Sequence, residues 1–164
     1  PAPAASDTPA APTAPSAEAA AGQPAAPTGS TVCTGEQVRV EPVTDLDTYD
    51  PGVSPQLSWS LTNVGGAPCT IDAGTSGQVF TVTSGDEVIW TSSDCQSDST
   101  EYPLTLEPGA APTSSASIAW DRTRSSPGTC DTEREQVIAG GASYHLDVTV
   151  GGVSSTDSNQ FILN

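Results

Sequence analysis

The 164-residue sequence has no lysine, no methionine and one histidine, and its only cationic side chains are Arg39, Arg122, Arg124 and Arg134. Against 20 acidic residues these leave a formal charge of −16. A field of that sign repels a phosphate backbone, which excludes nucleic acid as a partner, and it repels an anionic membrane surface in the same way. Its simplest use is solubility. No run approaches the ~20 apolar residues that span a bilayer. No Gly-x-Ser-x-Gly elbow occurs, and no CxxC pair accompanies the lone histidine, so neither a serine hydrolase nor a zinc site is indicated. Helical periodicity is also scarce, with residues 131–138 good for a turn or two at most. No cofactor is expected.

What is present divides near residue 30. Residues 1–30 hold 7 Pro and 12 Ala, no aromatic residue and no cation, with Asp7 and Glu18 the only charges. Such a segment buries too little apolar surface to offset an ordering cost of roughly 1–2 kcal/mol per residue, and its prolines break any helix. A disordered, polyproline-like tether is expected, reaching about 90 Å at ~3.1 Å per residue when fully stretched. Thr8, Thr13 and Thr28 in it could accept O-linked sugars. The sequence opens on Pro1 rather than Met, so an upstream anchor or signal segment is expected. Residues 31–164 are enough for one domain with its own core.

That domain reads as strands. Leu57, Trp59 and Leu61 alternate with Ser58, Ser60 and Thr62, the two-residue period of a strand with one apolar face. Residues 63–66, Asn-Val-Gly-Gly, suggest a turn built on positive φ that closes a hairpin onto Cys69 and Ile71. Further strands are expected at 37–43, 78–83, 88–90, 104–106, 115–120, 143–150 and 160–163. Gly85-Asp86 forms a hairpin turn, and Glu107-Pro108-Gly109 is a turn-forming triplet. In 143–150, Tyr144, Leu146, Val148 and Val150 face one way while His145, Asp147 and Thr149 face the other. Eight or nine short strands separated by turns indicate an all-β, immunoglobulin-like antiparallel β-sandwich, with Trp59, Trp90 and Trp120 in its core.

Cys33, Cys69, Cys95 and Cys130 are even in number in a β-rich chain with no metal spacing, which favours two disulfides and an oxidising compartment. Of three possible connectivities, Cys33–Cys69 with Cys95–Cys130 closes two loops of similar size between neighbours in the strand order. Each would contribute on the order of 3–4 kcal/mol through lost chain entropy.

Candidate chemistry is thin. His145 shares a strand face with Asp147 but both point away from the core, and a surface histidine is the plainer reading. Asp45, Asp47 and Asp50 could collect oxygen ligands, yet the glycine and distal glutamate of a calcium loop are missing. Residues 121–141 form a long charged loop holding Cys130 and three of the arginines. Arg122, Arg124 and Arg134 are candidate partner contacts, since a planar guanidinium pairs readily with carboxylates. Ion pairs with Asp121, Asp131, Glu133 and Glu135 are the competing use. A loop pinned by a disulfide to a rigid sandwich is how binding surfaces are commonly mounted.

Several segments occur in a telling order: Leu61-Thr-Asn63 with Gly66, Ser76-Gly-Gln-Val-Phe80, Gly85-Asp-Glu-Val-Ile-Trp90, Leu104-Thr-Leu-Glu-Pro-Gly109, Trp120-Asp121 and Ser143-Tyr-His-Leu-Asp-Val148. Together, over roughly residues 55–150, they resemble the bacterial intracellular proteinase inhibitor (BsuPI-type) domain, which implies an immunoglobulin-like sandwich; no motif here lets a reactive-site residue be carried over. Cys33 and Cys69, with a Thr-Asn-x-Gly turn before the second, resemble a domain of unknown function common in secreted actinobacterial lipoproteins. That second resemblance implies the first disulfide and an envelope location. The function expected is a non-enzymatic domain, extracellular or on the outer face of the cytoplasmic membrane, held on its tether and binding a protein or cell-wall polymer partner. The alternative is a proteinase inhibitor.

Overall fold

The computed structural model describes residues 31–114 and 117–164. The proposed tether, with its three threonines, and the 115–116 part of the strand expected at 115–120 lie outside the described residues. Twelve strands are seen in chain order: β1 Thr31–Val32, β2 Val38–Thr44, β3 Thr48–Tyr49, β4 Gln56–Asn63, β5 Cys69–Asp72, β6 Gln78–Ser84, β7 Glu87–Thr91, β8 Pro103–Leu106, β9 Ile118–Ala119, β10 Ala142–Val150, β11 Val153–Ser154 and β12 Asn159–Leu163. One 3-10 turn, Ser92–Asp94, is the only helical element among the described residues. Residues 131–138 form no helix.

The fold is an all-β, immunoglobulin-like sandwich. The larger sheet runs β3-β12-β10-β6-β7, with β11 folded back on β10, and β2-β4-β9 lies over it. A third sheet, β1-β5-β8, extends one end. The main ladders are antiparallel, as expected, while the two-residue strands β1 and β3 pair parallel to β5 and β12. These short pieces cover sheet edges that would otherwise present unpaired backbone.

Alternation decides which face is buried. In β4, Leu57, Trp59, Leu61 and Asn63 point inward, and in β10 the inward set is Tyr144, Leu146, Val148 and Val150. The tight turn at Gly85-Asp86 joins β6 to β7, with Gly85 at φ 59°, where a residue without Cβ is unstrained. The chain has only eight aromatic residues, and five of them form one cluster. Trp120, fully buried, lies 5.7 Å from Tyr144, 6.0 Å from Phe161 and 6.4 Å from Trp90, and Tyr49 meets Phe161 edge-on at 5.9 Å. The Trp120 indole N–H donates to the Thr123 carbonyl at 3.0 Å.

The segment after β4 corrects the expected hairpin. β4 and β5 do not pair; they belong to different sheets, and residues 64–68 carry the chain across. Neither Asn63 nor Gly65 nor Gly66 takes a positive φ. The turn is made instead by the Asn63 side chain, whose Oδ1 accepts the Gly65 N–H at 2.9 Å. Its Nδ2 donates to the carbonyls of Ala67 and Leu106, at 3.0 and 2.8 Å. A buried amide with every bond satisfied ties the β2-β4-β9 sheet to the β1-β5-β8 sheet, which a hairpin turn would not do.

Both disulfides form as expected, Cys33–Cys69 and Cys95–Cys130. The first lies in the interior of the β1-β5-β8 end, and the second joins two surface loops.

Candidate functional site

The two sheets do not meet along one side. There the outer strands β7 and β9 leave an open seam, and loops 92–102 and 121–141 rise around it. A cleft of about 270 Å³ opens between Trp90 and Thr91 of β7 and Ile118 and Ala119 of β9, with Gln96, Asp121 and Arg134 at its rim. It shares Thr75, Gln78 and Ile118 with a second hollow of about 500 Å³, floored by Trp59 and Leu104 and bordered by Tyr102. That volume falls within the ~300–1,000 Å³ typical of ligand sites.

The walls are held by short-range polar bonds. Asp72, at the end of β5, accepts the N–H groups of Gly74 and Tyr102 at 2.9 and 2.8 Å and the Ser76 hydroxyl at 2.9 Å. The backbone bond from Tyr102 is the main reason its carboxyl is held below the usual value of 3.8, against the opposing pull of burial. Gly74 lies so close to the Thr100 carbonyl that a Cβ there would collide with it. Thr75 completes the junction, accepting the Thr100 N–H at 2.8 Å on its hydroxyl and the Gln96 amide at 2.7 Å on its carbonyl. The amide of Gln78 is fixed on the Ala73 carbonyl at 2.6 Å.

Loop 121–141 wraps the β7 edge. Ser125 N–H donates to the Ile89 carbonyl, and the Ser125 hydroxyl accepts the Thr91 N–H and donates to Asp94 at 2.6 Å. Its apex is a tight turn, Thr129 N–H to Ser126 carbonyl at 3.1 Å, with Pro127 and a left-handed Gly128 (φ 89°) at the two central positions. The Cys95–Cys130 bond then locks this loop to the loop opposite.

The arginines divide. Arg122 is only 8% exposed and sits at φ 60°, and its guanidinium donates to the carbonyls of Asp50 and Asn164 at 2.9 and 3.0 Å. Its buried guanidinium fastens the backbone of the 50–53 loop to that of the C-terminal residue and offers no surface contact, which corrects its place among the candidates. Arg124 reaches Glu87 at 2.7 Å and Glu135 at 3.9 Å, and Arg134 reaches Asp121 at 2.6 Å. Asp121 and Glu135 were expected partners; Glu87, on β7, has no sequence neighbour that would announce it. Asp131 and Glu133 form no ion pair with the arginines. Arg39 has no ion pair among the described residues and lies on the far side, on β2.

The remaining candidates are scattered. His145 sits on the outer face of β10 opposite Thr83 and Gln160 and makes no side-chain hydrogen bond among the described residues. Asp45 accepts the Tyr49 hydroxyl at 2.6 Å and the Gln56 N–H at 3.0 Å, closing the loop before β4. Burial, and then the Asp45 carboxylate, push the Tyr49 hydroxyl up to about 12. Among the described residues no group of three potential ligands could hold a metal ion.

No protein-family model matches the chain, and neither does any curated protein. Solved structures with a similar course include Spo0M, a sporulation control protein from Bacillus subtilis (14% identity, TM-score 0.41, 77% of this chain and 49% of that one). They also include the alkylpurine DNA glycosylase AlkC from Pseudomonas fluorescens (14%, 0.42, 76% and 30%) and the β-glucosidase EmGH1 from Erythrobacter marinus (11%, 0.42, 77% and 15%). The chain spans half or less of each of these proteins, and likenesses this loose carry no argument about what it does.

Proposed function

We propose that the chain is a non-enzymatic, extracytoplasmic domain that binds a protein or cell-wall polymer through the seam between β7 and β9, held from the cell surface by residues 1–30. The observation that carries this reading is the seam itself: a cleft with an apolar floor, walled by two loops that Asp72, Ser125 and the Cys95–Cys130 disulfide hold in place. Rigid walls reduce the ordering cost of binding. The two disulfides support an oxidising location. Proteinase inhibition is the weaker reading, because the apex at 126–129 is a tight turn rather than the extended segment a protease cleft accepts.

The test is co-sedimentation of the full chain with purified bacterial cell walls and overlay on separated envelope proteins. Ile118→Arg, which fills the seam, should abolish binding, while His145→Ala should leave it intact. Binding unchanged by Ile118→Arg would overturn the reading. Stoichiometric inhibition of a subtilisin-like protease, lost with Pro127→Ala, would replace it with the alternative.

A further inference from the structure

Trp59 lines the larger part of the seam, is 4% exposed, and its indole N–H has no acceptor among the described residues. A buried donor left unpaired costs roughly 1–3 kcal/mol, and folded chains rarely keep one without a use. Around it, Leu104 and Ile118 supply apolar contact, Thr100 and Thr113 supply hydroxyls, and Tyr102, 60% exposed, stands beside the opening. Among the described residues no charged side chain lines this part of the cleft. A charged ligand would be left without a counter-charge there, and the net charge of −16 repels anions.

These requirements select a narrow chemistry. The donor needs a strong acceptor such as an amide carbonyl; the hydroxyls suit a polyhydroxylated ring, and the exposed tyrosine suits a ring face. A peptide also carries amide carbonyls, but strand addition needs unpaired backbone, and the Trp59 N–H and carbonyl are both already bonded to Ser114. We propose that the seam binds a neutral, N-acetylated saccharide, whose acetamido carbonyl accepts from Trp59 Nε1–H while its methyl group rests on Leu104 and Ile118. The proposal rests on reading the seam as a binding site and names the occupant. The indole nitrogen is covered in the unbound chain, so binding shifts the side chains over it, and movement of the indole resonance reports it.

The experiment titrates the full chain with the β-1,4-linked N-acetylglucosamine tetramer and, separately, with the glucose tetramer of the same linkage, followed by NMR and calorimetry. A proline-rich peptide of residues 1–28 serves as a third arm. The N-acetylated tetramer should shift the Trp59 indole signal and bind about fivefold more tightly than the glucose tetramer, the worth of one buried hydrogen bond. Trp59→Phe should abolish that preference, and Tyr102→Ala, at an exposed position that does not threaten folding, should weaken both sugars. Equal affinity for the two sugars, an unchanged preference in Trp59→Phe, or binding of the peptide alone would each overturn the proposal. Absence of sugar binding defeats this inference by itself; the broader reading falls only if Ile118→Arg leaves cell-wall and envelope-protein binding intact.

Discussion

Trp120 and Trp59 are both buried, yet they sit in regions built on opposite terms. Around Trp120 the two sheets close, three aromatic rings surround the indole, and its N–H meets the Thr123 carbonyl. Around Trp59 the sheets stay apart, the neighbours are hydroxyls and small apolar groups, and the indole N–H meets no acceptor among the described residues. The difference teaches where stability and function part company in this fold. Among the described residues the closed region leaves no buried side-chain donor or acceptor unpaired, while the open seam leaves volume and one donor unused. The two disulfides follow the same division, one interior and one on the rim.

The disulfides give the largest test of this contrast. Their sequence separations, 36 and 35 residues, are nearly equal, so chain entropy alone assigns each about 4 kcal/mol. Cys33 and Cys69 are buried, however, and their removal also leaves unfilled volume between β1 and β5. In chemical denaturation the Cys33→Ala/Cys69→Ala pair should therefore lose at least about 4 kcal/mol, and the Cys95→Ala/Cys130→Ala pair less. Equal losses would erase the distinction between interior and rim.

Next in size is Trp120→Phe. It removes part of a packed ring and leaves the Thr123 carbonyl without its donor, so a loss of about 3 kcal/mol is expected in the same measurement. A loss below about 1 kcal/mol would mean that the cluster repacks freely and that the closed region is less determined than its ring contacts imply.

Much of the closed region was legible in the sequence, because period-two alternation states directly which side chains share a face. β4 and β10 follow it residue by residue, and the turns at Gly85 and Gly109 carry the positive φ that glycine signals. The disulfide pairing was legible from loop size. The seam was not. A gap between sheets depends on how far β7 stands from β9, and no local pattern encodes the distance between two edges. Arg122 was misread for a related reason: a guanidinium buried on carbonyls of Asp50 and Asn164 looks, in sequence, like any arginine in a charged loop. Asn63 was read through its backbone, when its side chain makes the turn. Asp72, the organiser of the seam wall, drew no attention, since a single aspartate before a small residue is common in turns.

Asp72 supplies a smaller test, read through pH. Its carboxyl is held below 3.8 in the folded chain, chiefly by the Tyr102 N–H. A carboxyl with a lowered folded value stabilises above its unfolded value, and that contribution is lost as pH falls through the folded one. The melting temperature should thus decline on acidification from about pH 4 downward. In Asp72→Asn the part of the decline due to this group should vanish, with a constant loss of roughly 1–2 kcal/mol from weaker hydrogen bonds. An unchanged acid profile would mean that the wall does not depend on this carboxylate.

The smallest expected change is the most discriminating. Trp59→Phe keeps a large aromatic ring in the floor of the seam but deletes an N–H that has no partner to lose. The ring reduction costs packing, and the removal of an unpaired buried donor offsets it, so the net effect on stability should lie within about 1 kcal/mol of zero. Set beside the loss expected for Trp120→Phe, the same substitution on the same residue type separates a donor that holds the fold from one that does not. A destabilisation equal to that of Trp120→Phe would show that the Trp59 N–H is already satisfied within the folded chain, and the seam would lose its claim to a donor in reserve.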